Sequence, residues 1–220
     1  MKNGINIVAM PVILNIECPD GQRSAVWKVT ENELTLSEIA LLTKGEQISL
    51  SSIINPGRRL EWLAVRVLLK ELYPIGQTID YLKNGKPFLV NNADKISITH
   101  SGKMVGIALH PTKTPGIDIE AVGPRIFKIA HRFLSESEKI YLGATPSIEQ
   151  LLIIWGAKEV MYKVFEHGEV SFKNNFSVEP FALSDKGPLN GIIQKDGRIV
   201  YIPMEYIKME DFILVQTNYL

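Results

Sequence analysis

Cysteine is nearly missing from this chain: Cys18 stands alone among 220 residues, which excludes an intramolecular disulfide and suits a reducing, cytoplasmic compartment. Nothing around it marks a nucleophile, and a small buried or half-buried residue is the ordinary role of such a thiol. An excess of one charge is also missing. Lys plus Arg and Asp plus Glu both total 24, with 12 basic and 10 acidic groups in residues 1–110 and 12 and 14 in the rest. Neither half carries the footprint of a nucleic-acid binder. Long apolar runs are absent too. The stretch Ile5 to Ile16 is interrupted by Asn6, Pro11 and Asn15, and no small-residue cleavage site follows it. It reads as a first strand rather than a signal segment. No run nears the roughly 20 apolar residues of a membrane span, and no repeat or low-complexity tract is visible. What remains is 45% hydrophobic and 22% charged, the balance of a soluble globular protein long enough for one large domain or two smaller ones.

Periodicity and turn chemistry divide the chain. The N-terminal half reads as a strand at about 5 to 17, a turn at Pro19-Asp20-Gly21, a strand at 24 to 30 and a short helix near Leu36 to Leu42. Asn55 as N-cap and Pro56 at the first helical position open a longer helix to about Leu72, with Leu60, Ala64, Val67 and Leu68 as its core face. Tyr73-Pro74-Ile75-Gly76 ends it. Asn84-Gly85 predicts a hairpin turn, and Ile96 to His100, Ser101-Gly102, then Met104 to Leu109 predicts a second hairpin with a buried return strand. Pro111 to Pro115, short and polar between prolines, is the candidate boundary between lobes 1–111 and 112–220. Beyond it come a strand at Gly116 to Glu120, helices at about Arg125 to Phe133, from Ser135, and at Glu149 to Glu166, then antiparallel strands near Ser171 to Val178, Gly191 to Ile202 and Phe212 to Thr217.

The chemistry concentrates in two segments. In Gly116-Ile117-Asp118-Ile119-Glu120 the two carboxylates of an extended chain point to one side, about 6 to 7 Å apart along the strand, which suits a hard divalent cation. About forty positions on, Trp155, Glu159 and Lys163 share one face of a helix at i, i+4 and i+8, opposite Ile153, Ala157, Val160, Met161 and Val164. Each feature also has a plain reading, as the solvated face of a half-buried strand or an ordinary i, i+4 ion pair. Trp155 among polar neighbours argues for a cleft.

These segments resemble the 4'-phosphopantetheinyl transferase superfamily, with its G-x-D-x-E strand and W-x-x-K-E-x-x-x-K helix. Gly85-Lys86-Pro87, Thr99-His100-Ser101-Gly102 and Arg132-Phe133-Leu134-Ser135 with Glu138 follow the family's order, so the resemblance covers roughly residues 58 to 178. It implies two similar α+β lobes about a pseudo-twofold axis with the active site in the cleft between them, in a monomeric cytosolic enzyme that moves the 4'-phosphopantetheine arm of coenzyme A to a serine of an acyl or peptidyl carrier protein and releases adenosine 3',5'-bisphosphate. It further implies Mg2+ on Asp118, Glu120 and Glu159, and Glu159 as base on the carrier serine. Lys163, Lys86, Thr99 and His100 are then ligands of coenzyme A. Arg59, Arg66 and Lys70 share a helix face that is either a solvated stripe or the site of the 3'-phosphate, and Arg58 is a further candidate. Ser135 with Glu138 makes a capping box, which rivals a site role for Glu138. Two alternatives stay open: a silent module binding coenzyme A or a carrier, and a magnesium-dependent phosphohydrolase.

Overall fold

The computed structural model describes residues 12–73, 76–90, 92–165 and 169–219. It is a mixed α+β chain built on two antiparallel sheets. The expected first strand before residue 12, and Pro74 and Ile75 of the helix stop, lie outside the described residues.

In chain order the elements are β1 (Val12–Glu17), β2 (Arg23–Lys28), α1 (Glu33–Ala40), α2 (Lys44–Ser51), α3 (Pro56–Leu72), β3 (Thr78–Tyr81), β4 (Pro87–Val90), β5 (Lys95–Ser101) and β6 (Met104–His110). There follow β7 (Ile117–Ala121), α4 (Arg125–Phe133), α5 (Glu136–Leu142), α6 (Ile148–Val164), α7 (Phe172–Asn175), β8 (Phe176–Val178), β9 (Lys186–Lys195), β10 (Arg198–Lys208) and β11 (Phe212–Thr217). One sheet has the order β1-β2-β6-β5, the other β7-β11-β10-β9-β8, and β3 and β4 form a separate hairpin.

A 17-residue helix lies on each sheet. Helix α3 begins where Asn55 Oδ1 accepts the Arg58 amide, with Pro56 in the first turn. It buries Leu63, Ala64, Val67 and Leu68 against Ala25, Trp27, Val105 and Ile107. Helix α6 starts in a capping box between Ser147 and Gln150 and is buried on nearly every side, with Leu151, Ile153, Ile154, Ala157, Val160 and Met161 in the core of the five-stranded sheet. A third cluster joins the sheets: Val26, Met104 and Ala108 meet Ile117, Ile119 and Leu214. The Pro111 to Pro115 segment is tied down at this seam. His110 Nδ1 accepts the amides of Thr112 and Lys113, and Tyr219 donates to Thr114 O. Nearby, Gln22 Nε2 donates to Thr217 O, and Thr217 Oγ1 donates back to Gln22 Oε1 and accepts from Gly116 N.

Three elements depart from the expectation. Helix α2 stands where none was expected, although its capping box, Thr43 with Glu46, is in the sequence. The expected strand from Ser171 to Val178 begins as the short helix α7, because Ser171 caps Asn174 before β8 starts. The expected strand Gly191 to Ile202 is a hairpin, β9 turning into β10 at Asp196-Gly197 with φ of 51° and 74°. Asp-Gly is the pair such a turn requires.

Candidate active site between the sheets

Strand β7 is the edge of its sheet, hydrogen-bonded to β11 in the register Asp118 to Val215 and Glu120 to Ile213. Helix α6 crosses it very closely, and two glycines allow this. A Cβ on Gly116 would stand 2.7 Å from Val160 Cγ1, and one on Gly156 would stand 2.9 Å from Val215 Cγ2 and 3.5 Å from Asp118 Oδ2. Both glycines serve close approach, with ordinary negative φ.

The approach brings the two segments singled out in the sequence together. Lys163 Nζ donates to Asp118 Oδ1 at 2.8 Å and to Ile117 O at 2.7 Å. Trp155 Nε1 donates to Glu120 Oε1 at 2.7 Å, and its ring sits between Phe133 and Phe172 with centroids at 5.2 and 5.5 Å. Burial pushes Asp118 up despite Lys163. Glu120 and Glu159 are each raised to about 7, first by burial and then by the charge of Asp118. Asp118 Oδ2 is buried and has no hydrogen-bond partner among the described residues. Among the described residues no group of three or more His, Cys, Asp or Glu side chains is assembled to hold a metal ion. Asp118 Oδ1 and Glu120 Oε1 are turned instead to Lys163 and Trp155.

Lys163 also lines a groove of about 1570 Å³ walled by β5 of the four-stranded sheet and by the end of α6, the helix on the five-stranded sheet. Its other charged or polar walls include Arg58, Glu61, Lys86 and His100, and Tyr162 adds an aromatic face. Arg58 Nη1 lies 2.5 Å from His100 Nε2, and Glu61 lies 3.5 Å from Nδ1. Burial lowers the His100 pKa most, and Arg58 and Lys163 push the same way while Glu61 opposes.

Residues 114–208 match the family model of the 4'-phosphopantetheinyl transferase superfamily. This stretch is a domain of that superfamily. Its members are transferases that use coenzyme A, typically with magnesium, and act on carrier proteins. The match takes in Asp118, Glu120, Glu159 and Lys163, whereas Lys86 and His100 precede it. No curated protein matches the chain. Among the described residues no helix is long and apolar enough to cross a membrane.

Not every residue the superfamily pattern suggested comes to this place. Arg59 turns to α1, where it binds Glu33 and donates to Leu50 O. Arg66 is buried, stacked on Trp62 and paired with Glu46 of α2, and Lys70 donates to Ile39 O. The stripe is therefore neither solvated nor in the groove: it ties α3 to α1 and α2. Arg58, one residue earlier, is the α3 arginine that faces the groove. Thr99 is 4% exposed and points to β7, away from the groove lining. Glu138 closes the capping box with Ser135 and also pairs with Lys158 at 2.7 Å, both side chains fully buried. Lys158, the first lysine of the W-x-x-K-E-x-x-x-K motif, has a structural role. It donates as well to the carbonyls of Phe133, Phe172 and Phe176, so it knots α4, α7 and β8 to α6. The W-x-x-K spacing from the half-buried Trp155 marks it in the sequence, but helical periodicity alone places it on no particular partner.

Proposed function

We propose that this protein transfers the 4'-phosphopantetheine arm of coenzyme A to a serine of an acyl or peptidyl carrier protein. One observation carries the reading: Lys163 binds Asp118 while lining the groove that holds Arg58, Lys86 and His100. A polyanionic ligand in the groove thus reaches the carboxylate cluster through a single ammonium group. On this reading residues 1–111 and 112–220 are two lobes about a pseudo-twofold axis. The two 17-residue helices, each on an antiparallel sheet, support it.

The donor set fits magnesium. Its oxygens are hard carboxylates, Asp118 Oδ2 is buried without a partner, and Glu120 and Glu159 carry like-charge strain that a divalent cation relieves. Asp118, Glu120 and Glu159 would hold the ion, which supplies neutralisation of charge on the departing bisphosphate. The protein's own groups do the rest. Arg58, Lys86, His100 and Lys163 bind and orient the phosphates. Glu159, poised at about 7, accepts the proton of the carrier serine as its oxygen bonds to the β-phosphorus. The phosphorus–oxygen bond to adenosine 3',5'-bisphosphate breaks in line, and no covalent enzyme intermediate forms.

The test is incubation with coenzyme A and Mg2+, with and without a carrier domain. Mass gain on the carrier, with matching bisphosphate release only in its presence, is the expected result. Carrier-independent release would make the protein a phosphohydrolase, and binding without turnover would make it a silent module.

A further inference from the structure

Strand β7 needs partners on its free edge. Strand β11 occupies one row of its backbone groups, and the amides of Ile117, Ile119 and Ala121 face the other way, toward β5, the edge of the four-stranded sheet. A buried amide must find an acceptor. Side chains of β5 supply them: Ser97, Thr99 and Ser101, at the two-residue spacing of one strand face, accept from Ile117, Ile119 and Ala121 at 3.3, 3.1 and 3.3 Å. Two sheet edges are thus laced together by hydroxyls.

The middle rung does more. Since Thr99 Oγ1 accepts from Ile119 N, its own proton is left for Asp118 Oδ1, 3.3 Å away. Lys163 holds the same oxygen, so Oδ1 is fixed from two directions and Oδ2 is the atom without a partner. The rotamer of Thr99 is set by packing. A Cβ on Gly106, its cross-strand neighbour, would lie 2.9 Å from Thr99 Cγ2, so the glycine makes room for the methyl and the hydroxyl is directed to β7. Thr99 does not line the groove.

We propose that Thr99 is a positioning residue that fixes Asp118 for the metal ion, and not a contact of coenzyme A. The inference rests on the function proposed above. It assigns the hydroxyl at this position to the cation side of the reaction, where supporting hydrogen bonds are typically worth about 10- to 100-fold in metal affinity or activity.

Thr99→Val keeps the shape and removes the hydroxyl, and Thr99→Ser keeps the hydroxyl. Three readouts are compared: Mn2+ binding from the free-ion electron paramagnetic resonance signal, the Mg2+ concentration for half-maximal transfer, and coenzyme A affinity by calorimetry in chelator. In Thr99→Val the first two should weaken by about 10- to 100-fold, with the third unchanged. Thr99→Ser should recover most of the loss. Wild-type metal dependence in Thr99→Val, or weakened coenzyme A binding in chelator, overturns the proposal. Wild-type protein that binds no Mn2+ would instead strike the functional reading, before any variant is made. If Thr99→Val does not fold, Thr99→Ala carries the same expectations.

Discussion

Trp155 reaches across from α6 to donate its indole N–H to Glu120 on β7 at 2.7 Å, while Phe133 and Phe172 hold its ring. Removing only the hydrogen bond and removing the whole ring should separate two roles. Trp155→Phe should lose about 1 to 3 kcal/mol, the cost of leaving a desolvated acceptor unpaired, and Trp155→Ala about 3 to 5 kcal/mol through the cavity it leaves. Urea unfolding of both variants checks the order. Equal losses would mean that the bond to Glu120 contributes nothing.

The raised carboxylates make a pH prediction with a definite sign. Glu159 sits at about 7 in the folded chain against an ordinary 4.5. The folded state therefore keeps a proton that the unfolded chain has released, and stability falls as pH climbs through that interval. Glu159→Gln, which cannot ionise, should match wild type near pH 4.5 and exceed it above pH 7 when chelator is present. Mg2+ should shrink the difference. Unfolding midpoints across this range, with and without the metal, are the measurement; a wild type that outlasts the variant above pH 7 in chelator would contradict the strain.

Breaking the Lys158 and Glu138 pair on one side should cost about 3 to 5 kcal/mol, because an uncompensated charge is left buried. Lys158→Met is the single variant, and adding Glu138→Gln should restore part of the loss. A double-mutant cycle by urea unfolding tests this coupling. Additive losses would show two independent contributions.

Neighbouring arginines of α3 should behave differently. Arg58→Ala is expected to weaken coenzyme A binding with little change in melting temperature, as Arg58 faces the groove and is largely exposed. Arg59→Ala should lower the melting temperature and spare binding, since Arg59 holds Glu33 and the Leu50 and Ile53 carbonyls. Calorimetry and thermal unfolding on both variants decide; the reverse pattern would return the 3'-phosphate to Arg59.

Much of this was legible in residue order. A cap located α3, and periodicity and turn residues located α6, β7 and the β5–β6 hairpin, while the two-residue alternation placed Asp118 and Glu120 on one side of a strand. The reading failed where helical spacing had to stand in for a neighbour. Arg59, Arg66 and Lys70 do share a face, but that face meets α2 and α1, and α2 was not expected. Thr99 was read with His100 because they are adjacent, yet adjacent residues of a strand point to opposite sides, one to β7 and one to the groove. Lys158 stands in the W-x-x-K-E-x-x-x-K motif without a role of its own, because a lysine that is fully buried shows its partners only once the carbonyls around it are placed.

The placement of β11 bears on how the site comes into being during synthesis. Strand β7 reaches the rest of its sheet only through β11, which lies later in the chain than every other described strand, and Thr217 just beyond the Asp118 register bonds Gln22 across 195 positions. The four-stranded sheet and α3 can form while the ribosome is still translating, but the strand of Asp118 and Glu120 has only the β5 hydroxyls and no backbone ladder to hold it until β11 has emerged. Contacts so distant in sequence form slowly. A nascent chain stalled before Phe212 should therefore carry a folded first sheet and no ordered carboxylate strand.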